Sequence, residues 1–270
     1  MRFRLTLIQN KEDQLIPFNY QYYISCFIYK TLYSANKDFG EWLHNEAYSW
    51  GVKKFKMFSF SRLNIPEFET EGRYLKIKSP QLYLIISMLI DDIAENIVLG
   101  LFQKQQLTIY NGDELALFKI KFIERLPDPP FKETMQFKTL SPILLKKKEI
   151  IDNEEKVVFL KPDDEDYFKY LKTNLEEKYI VYAQYNETKV SEKTLDSFKL
   201  LDKYKPSLIT IKEGNKNEVN LKAYNMTFEI TGPTELIRIG YEAGFGINNS
   251  LGFGCVKVFN GNNKQIDDTS

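Results

Sequence analysis

Apolar and polar side chains alternate along residues 2–8, with Phe3, Leu5 and Leu7 on one face and Arg2, Arg4 and Thr6 on the other. A period of two predicts a half-buried strand. After Pro17 the period lengthens: Tyr20, Tyr23, Ile24, Phe27, Ile28 and Leu32 recur every third or fourth residue. That spacing predicts a helix from Asn19 to Ser34. A short second helix is expected from Asp38 to His44, with Asp38 near its start. Lys54 to Leu63 and Arg73 to Ile77 read as strands. Ser79-Pro80 is expected to open a second long amphipathic helix to Leu101, with Leu84, Met88, Ile93 and Ile97 on its apolar face. Strands follow at 105–110 and 115–125, divided by the Asn111-Gly112 turn.

The first ~125 residues therefore run strand, helix, strand, strand, helix, strand, the order of a ferredoxin-like (RRM-like) domain. Pro127, Pro129 and Pro130 break the pattern and place a boundary there. This gives an N-terminal domain over 1–126, a second over 127–260, and a loose polar tail over 261–270. The second part predicts strands at Met135 to Leu145 and Val157 to Leu160, then a helix from Asp163 to Val181. Acids in that helix's first turn suit the helix dipole. Ser197 to Leu201, Ser207 to Lys212 and Glu218 to Ile230 read as strands. A short helix from Thr234 to Tyr241 follows Pro233, and Gly252 to Phe259 closes as a strand.

Composition narrows the function. The chain has 270 residues, 43% apolar and 14% aromatic, which excludes a disordered chain. Two cysteines, Cys26 and Cys255, fit a reducing compartment and exclude a cysteine-based zinc cluster. The apolar stretch near Leu82 to Ile90 ends at Asp91-Asp92 and is too short to span a bilayer. A cytoplasmic protein with no membrane partner and no cofactor is expected. Lys plus Arg number 37 against 37 Asp plus Glu, a balance that on its face argues against a nucleic-acid partner. There is a single histidine, His44, so any mechanism needing two imidazoles in one chain is excluded.

The most informative stretch is GYEAGFGINNSLGFGCVKV, from Gly240 to Val258. It follows a helix and feeds a strand, and lacks a Gly-Lys-Ser/Thr step, so it is neither a Walker loop nor a dinucleotide fingerprint. Gly244, Gly246, Gly252 and Gly254, with Asn249 and Ser250 between them, could expose backbone amides as a nest for phosphates. A Gly-rich packing hairpin is the plainer reading of glycines alone.

The full pattern resembles the C-terminal signature of CRISPR-associated endoribonucleases of the Cas-six type, in the RAMP superfamily. Pro17-Phe18-Asn19 with Gln21-Tyr22-Tyr23 and Phe27-Ile28-Tyr29 resembles that family's first helix, and Phe137 to Pro142 its mid-chain strand. The resemblance implies an α+β protein of two tandem ferredoxin-like domains that cuts CRISPR precursor RNA within its repeats without a metal. Attack by the 2′-OH would leave a 2′,3′-cyclic phosphate and a 5′-OH. The alternative is a catalytically inactive RAMP-type RNA-binding subunit of a CRISPR effector complex, because the glycine motif is shared. Repeat RNA is the implied partner. An effector complex stays open as a second, and so does the choice between monomer and homodimer.

Taken alone, His44 reads as a surface or capping histidine. The resemblance places it, with Tyr29 and Lys53, at the family's catalytic positions. It implies that Tyr29 helps activate the 2′-OH, that His44 is the acid and that Lys53 stabilises the phosphorane. The division between Tyr29 and His44 stays open, since an ordinary phenol is a poor base at neutral pH. So does the choice of Lys53 over Lys54. Two lysine-rich runs are candidate phosphate contacts: Lys53, Lys54, Lys56 and Arg62, then Lys146, Lys147 and Lys148, with Lys132 and Lys138 nearby. Acids are expected to collect elsewhere, at Asp152 to Glu155, Asp163 to Asp166 and Glu176-Glu177.

Overall fold

The structure, a computed structural model, describes residues 1–259 apart from position 111. The expected tail and Asn111 of the expected turn lie outside the described residues. The chain begins with β1 (Arg2–Gln9), β2 (Leu15–Pro17), α1 (Gln21–Ala35) and α2 (Lys37–Asn45). Then come β3 (Tyr48–Trp50), β4 (Lys53–Phe55), β5 (Phe58–Phe60), β6 (Phe68–Glu71), β7 (Tyr74–Ile77) and β8 (Gln81–Met88). The N-terminal half ends with α3 (Asp91–Gln103), β9 (Gln106–Tyr110) and β10 (Leu115–Arg125).

The principal sheet runs β5-β8-β1-β10-β9. Without the edge strand β9, this is a ferredoxin-like sheet with β1 central, flanked by β8 and β10. Leu5 and Leu7 of β1 are fully buried, as the alternation predicts. Two short hairpin-like sheets, β3-β4 and β2-β7-β6, were not expected. Lys54 to Leu63 is not one strand but parts of two, β4 and β5, separated at Met57, whose φ is +54°.

The helix expected from Ser79 is shorter than its pattern. Residues 81–88 form a strand that pairs along its length with β1, and the helix starts only at Asp91. Leu84 and Met88 are four apart, which fits a helix. Leu82, Leu84, Ile86 and Met88 are also two apart, and that period wins because it buries all four in the middle of a sheet. Asp91 and Asp92 then occupy the first helical turn, where the macrodipole favours acids.

The second half contains β11 (Thr134–Thr139), β12 (Lys146–Ile151), β13 (Glu154–Phe159), α4 (Tyr167–Tyr185) and β14 (Ser197–Leu200). It continues with β15 (Lys205–Ile211), β16 (Val219–Asn225), β17 (Thr227–Thr231), α5 (Thr234–Ala243) and β18 (Val256–Val258). Its sheet order is β14-β17-β11-β18, again a ferredoxin-like arrangement with two hairpins, β12-β13 and β15-β16, inserted. The stretch Met135 to Leu145 ends as strand at Thr139, and Glu218 to Ile230 divides into β16 and β17. Acids 163–166 precede α4 rather than forming its first turn. One continuous hydrophobic core, from Phe3 to Val256, joins both sheets.

Candidate functional site

Helix α1 has two faces. Ile24, Ile28 and Leu32 are buried in the core. Tyr22, Ser25, Cys26, Tyr29, Lys30 and Tyr33, three or four apart on the other face, line a cavity of about 650 Å³. Helix α2 is capped by Asn36, whose side chain accepts from Phe39 N, and it carries His44 in its last turn. His44 faces the same cavity. Its ring meets the Tyr29 ring edge-on, with centroids 4.9 Å apart and planes at 86°. Nδ1 of His44 lies 3.1 Å from Asn45 Oδ1. Burial pushes the Tyr29 phenol up to about 12, with a weaker opposing effect from a hydrogen bond to the Ser250 side chain.

The lysines divide. Lys53 does not line this cavity but a neighbouring one of about 990 Å³, between the two halves of the chain. Its ammonium is 2.5 Å from Glu177 of α4. Lys54 donates to Asn45 O at 2.9 Å and pairs with Glu46 at 3.3 Å. Lys56 donates to the carbonyls of Leu43 and His44, both at 2.6 Å, closing the C-terminal end of α2. Burial lowers its pKa to about 8. Lys146, by contrast, lines both cavities. Asn248 joins it on the shared wall.

The expected separation of acids from lysines does not hold in space. Hairpin β12-β13 folds Glu155 back onto Lys148 at 2.7 Å, and Lys147 sits between Glu149 and Asp166 at 2.6 and 2.7 Å. Asp166 and then Glu149 hold the Lys147 ammonium charged well above the ordinary lysine range. Arg62 bonds Ser207 of β15 and is only half exposed, and exposed Lys138 on β11 lies on the wall of neither cavity.

The glycine-rich segment wraps from α5 to β18 against α1 and β5. Gly244, Gly252 and Gly254 are buried, with positive φ of 91°, 88° and 77°. A Cβ on Gly252 would lie 2.7 Å from the Phe60 ring, and one on Gly254 would lie 2.0 Å from Phe245 O. These glycines serve close packing. The half-buried remainder, Asn248 to Leu251, faces the cavities. Gly246, Asn249 and Ser250 line the larger one. The segment Leu140-Ser141-Pro142 anchors the loop: Leu140 N and Ser141 N donate to Cys255 O, and Gly254 N to Pro142 O.

Sequence reading missed Lys178. It is 2% exposed, and its ammonium donates to Gly244 O, Gly246 O and Asn249 Oδ1 at 2.6, 2.9 and 2.8 Å. The available signal was a lysine on the buried stripe of α4, one turn from Asn174 and Leu175 and two from Leu171.

Two family descriptions match the chain: "CRISPR-associated protein Cas6, N-terminal" over residues 15–121 and "CRISPR associated protein Cas6, C-terminal" over residues 126–258. A protein of Methanocaldococcus jannaschii named CRISPR-associated endoribonuclease Cas6 1 is 34% identical over 258 residues, covering 95% of this chain and 92% of its own. The CRISPR-associated endoribonuclease Cas6 of Pyrococcus furiosus is 28% identical over 261 residues, covering 96% and 90%. A solved structure titled CRISPR associated protein Cas6 superposes with a TM-score of 0.76 at 33% identity, covering 96% and 99% of the two chains.

Proposed function

This chain belongs to the Cas6 family of CRISPR-associated proteins, and from that premise we propose how its residues cut RNA. It is an RNA-cleaving enzyme that processes CRISPR repeat RNA. The reaction is assigned to the Tyr29–His44 cavity. The observation that carries this is the edge-on contact of the only imidazole in the chain with a half-buried phenol, on a wall shared with Lys146.

The 2′-oxygen attacks the adjacent phosphorus while the P–O5′ bond breaks. The hydroxyl proton passes to solvent water, and the 5′-oxygen gains one. The products are a 2′,3′-cyclic phosphate and a 5′-OH. His44 performs one proton transfer, as acid to the 5′-oxygen. Tyr29, held as a neutral phenol, is a hydrogen-bonding partner for the reacting oxygens rather than a strong base. Lys146 meets the developing charge of the phosphorane from the cavity wall. Lys53 joins it only by exchanging Glu177 for phosphate. No step requires a metal. The repeat RNA lies along both cavities in a cytoplasmic protein of two domains, 1–126 and 127–260.

The test is cleavage of cognate repeat RNA in excess EDTA by wild type and His44→Ala. The expected result is one cut with a cyclic phosphate end. The variant should lose it by roughly 10²- to 10⁴-fold, the usual contribution of an acid or base, while still binding RNA. Full activity of His44→Ala would remove His44 from the mechanism, and a need for added divalent cation would overturn the metal-free reading.

A further inference from the structure

We propose that Lys178, which lines the larger cavity and not the imidazole one, is a positioning residue for cleavage: it fixes the glycine-rich loop against the face of α1 that carries Tyr29. The inference rests on the assignment of the reaction to Tyr29 and His44.

Lys178 sits inside the protein with its ammonium surrounded by three oxygens of one loop. Three N–H groups and three acceptors match one for one. Two of the acceptors, Gly244 O and Gly246 O, lie at the start of the loop, and the third is the side chain of Asn249. Because Asn249 Oδ1 faces the ammonium, its amide nitrogen is turned the other way, where it donates to Phe245 O at 3.1 Å and Phe253 O at 3.0 Å. A single lysine thus orders both ends of the loop through one amide. The adjacent residue, Ser250, is fixed in turn: its carbonyl accepts from Ser25 Oγ at 2.7 Å, one helical turn before Tyr29, which ties the loop to the face of α1 that carries the phenol.

Packing alone does not account for a charge here. An ammonium removed from water carries a desolvation cost that an apolar side chain of similar length does not. Burial indeed lowers the Lys178 pKa to about 7. The charge of the neighbouring Glu177 opposes that effect. What the Lys178 nitrogen supplies as a donor, and a methionine would not, is a defined geometry for three acceptors in a loop whose glycines otherwise leave it free.

The decisive measurement is single-turnover cleavage at saturating repeat RNA by wild type, His44→Ala, Lys178→Met, Ser250→Ala and the Lys178→Met/Ser250→Ala pair. It is run beside affinity for repeat RNA carrying a 2′-deoxy nucleotide at the cut. Lys178→Met should lose up to about tenfold in rate, no more than loss of the Tyr29 hydroxyl it positions, with affinity within about twofold. Ser250→Ala should show the same pattern. The double variant should be little slower than the slower single one, because both act through Tyr29. A folded Lys178→Met cleaving at the wild-type rate overturns the proposal, and so does a loss of affinity equal to the loss of rate. Should Lys178→Met not fold, Ser250→Ala decides: a wild-type rate overturns the proposal, and the slowed rate with retained affinity supports it. If His44→Ala keeps full rate, the site assignment itself fails, which this design separates from failure of Lys178 alone.

Discussion

The Tyr29 phenol sits among the apolar residues of α1 and β5, its ring 5.8 Å from Phe58 and 4.9 Å from His44. With its pKa pushed up to about 12 by burial, roughly one molecule in 10⁵ carries a phenolate at pH 7. A base present at that level would make the rate climb tenfold per pH unit, and so would the advantage of wild type over Tyr29→Phe. A neutral hydrogen-bonding phenol gives a different profile. It keeps its proton throughout the working range, so the ratio of the two rates is flat. The expected outcome is a roughly tenfold slower Tyr29→Phe enzyme, about the worth of one hydrogen bond to a charged group, with that ratio constant from about pH 6 to pH 9. A ratio that grows with pH would restore Tyr29 as the base. Taken alone, His44 reads as a surface or capping histidine; His44 and Tyr29 were legible in the sequence only through the family resemblance of the motifs around them. Lys178 was not, since a lysine code does not say that a helix will bury it or that a loop 66 residues away will supply its acceptors.

At the level of elements, legibility followed how many partners a segment has. Helix α1 shows one clean period because it buries one face; β1 alternates in sequence, yet Arg2 and Thr6 on its polar face are buried too. Residues 81–88 satisfy two periods, and only pairing with β1 and β5 chooses between them. β12 begins with three consecutive lysines and read as a charge run. It is a strand because it pairs with β13 along its length, the three lysines opposite Phe159, Val158 and Val157 and Glu149 opposite Lys156. The first strand also shows how the halves are tied. Arg2 is 2% exposed, donates to Val256 O and Tyr241 O at 2.7 Å each, and lies 3.6 Å from the Tyr241 ring centroid. It therefore links β1 to α5 and β18. In Arg2→Met both carbonyls would stay buried without a donor, which should cost on the order of 3 kcal/mol. Denaturant unfolding measures it. A loss below about 0.5 kcal/mol would show that water or repacking satisfies those carbonyls and that Arg2 is no strut.

Over the whole molecule, 37 basic and 37 acidic residues cancel, and the structure makes much of that cancellation local. Lys53, Lys147 and Lys148 are each paired with a carboxylate within 3 Å. A polyanion approaching the lysine-rich walls meets mostly neutralised pairs. Lys146 differs: it is exposed, lines both cavities and forms no ion pair among the described residues. Binding of single-stranded RNA weakens with salt in proportion to the phosphates neutralised, with a log–log slope of about −0.7 for each. Lys146→Met should therefore flatten the slope by about 0.7. Lys148→Met should change it little, because binding RNA there gains a phosphate contact only by breaking the pair with Glu155. Affinity for the 2′-deoxy repeat RNA, measured across a series of salt concentrations, separates the two. Equal flattening by both variants would mean that the carboxylates yield freely to phosphate and that the hairpin's ion pairs do not limit the contact surface. A shift from Lys146→Met alone would mean that this protein holds RNA with few free cations, and that a balanced composition reflects pairing chosen residue by residue.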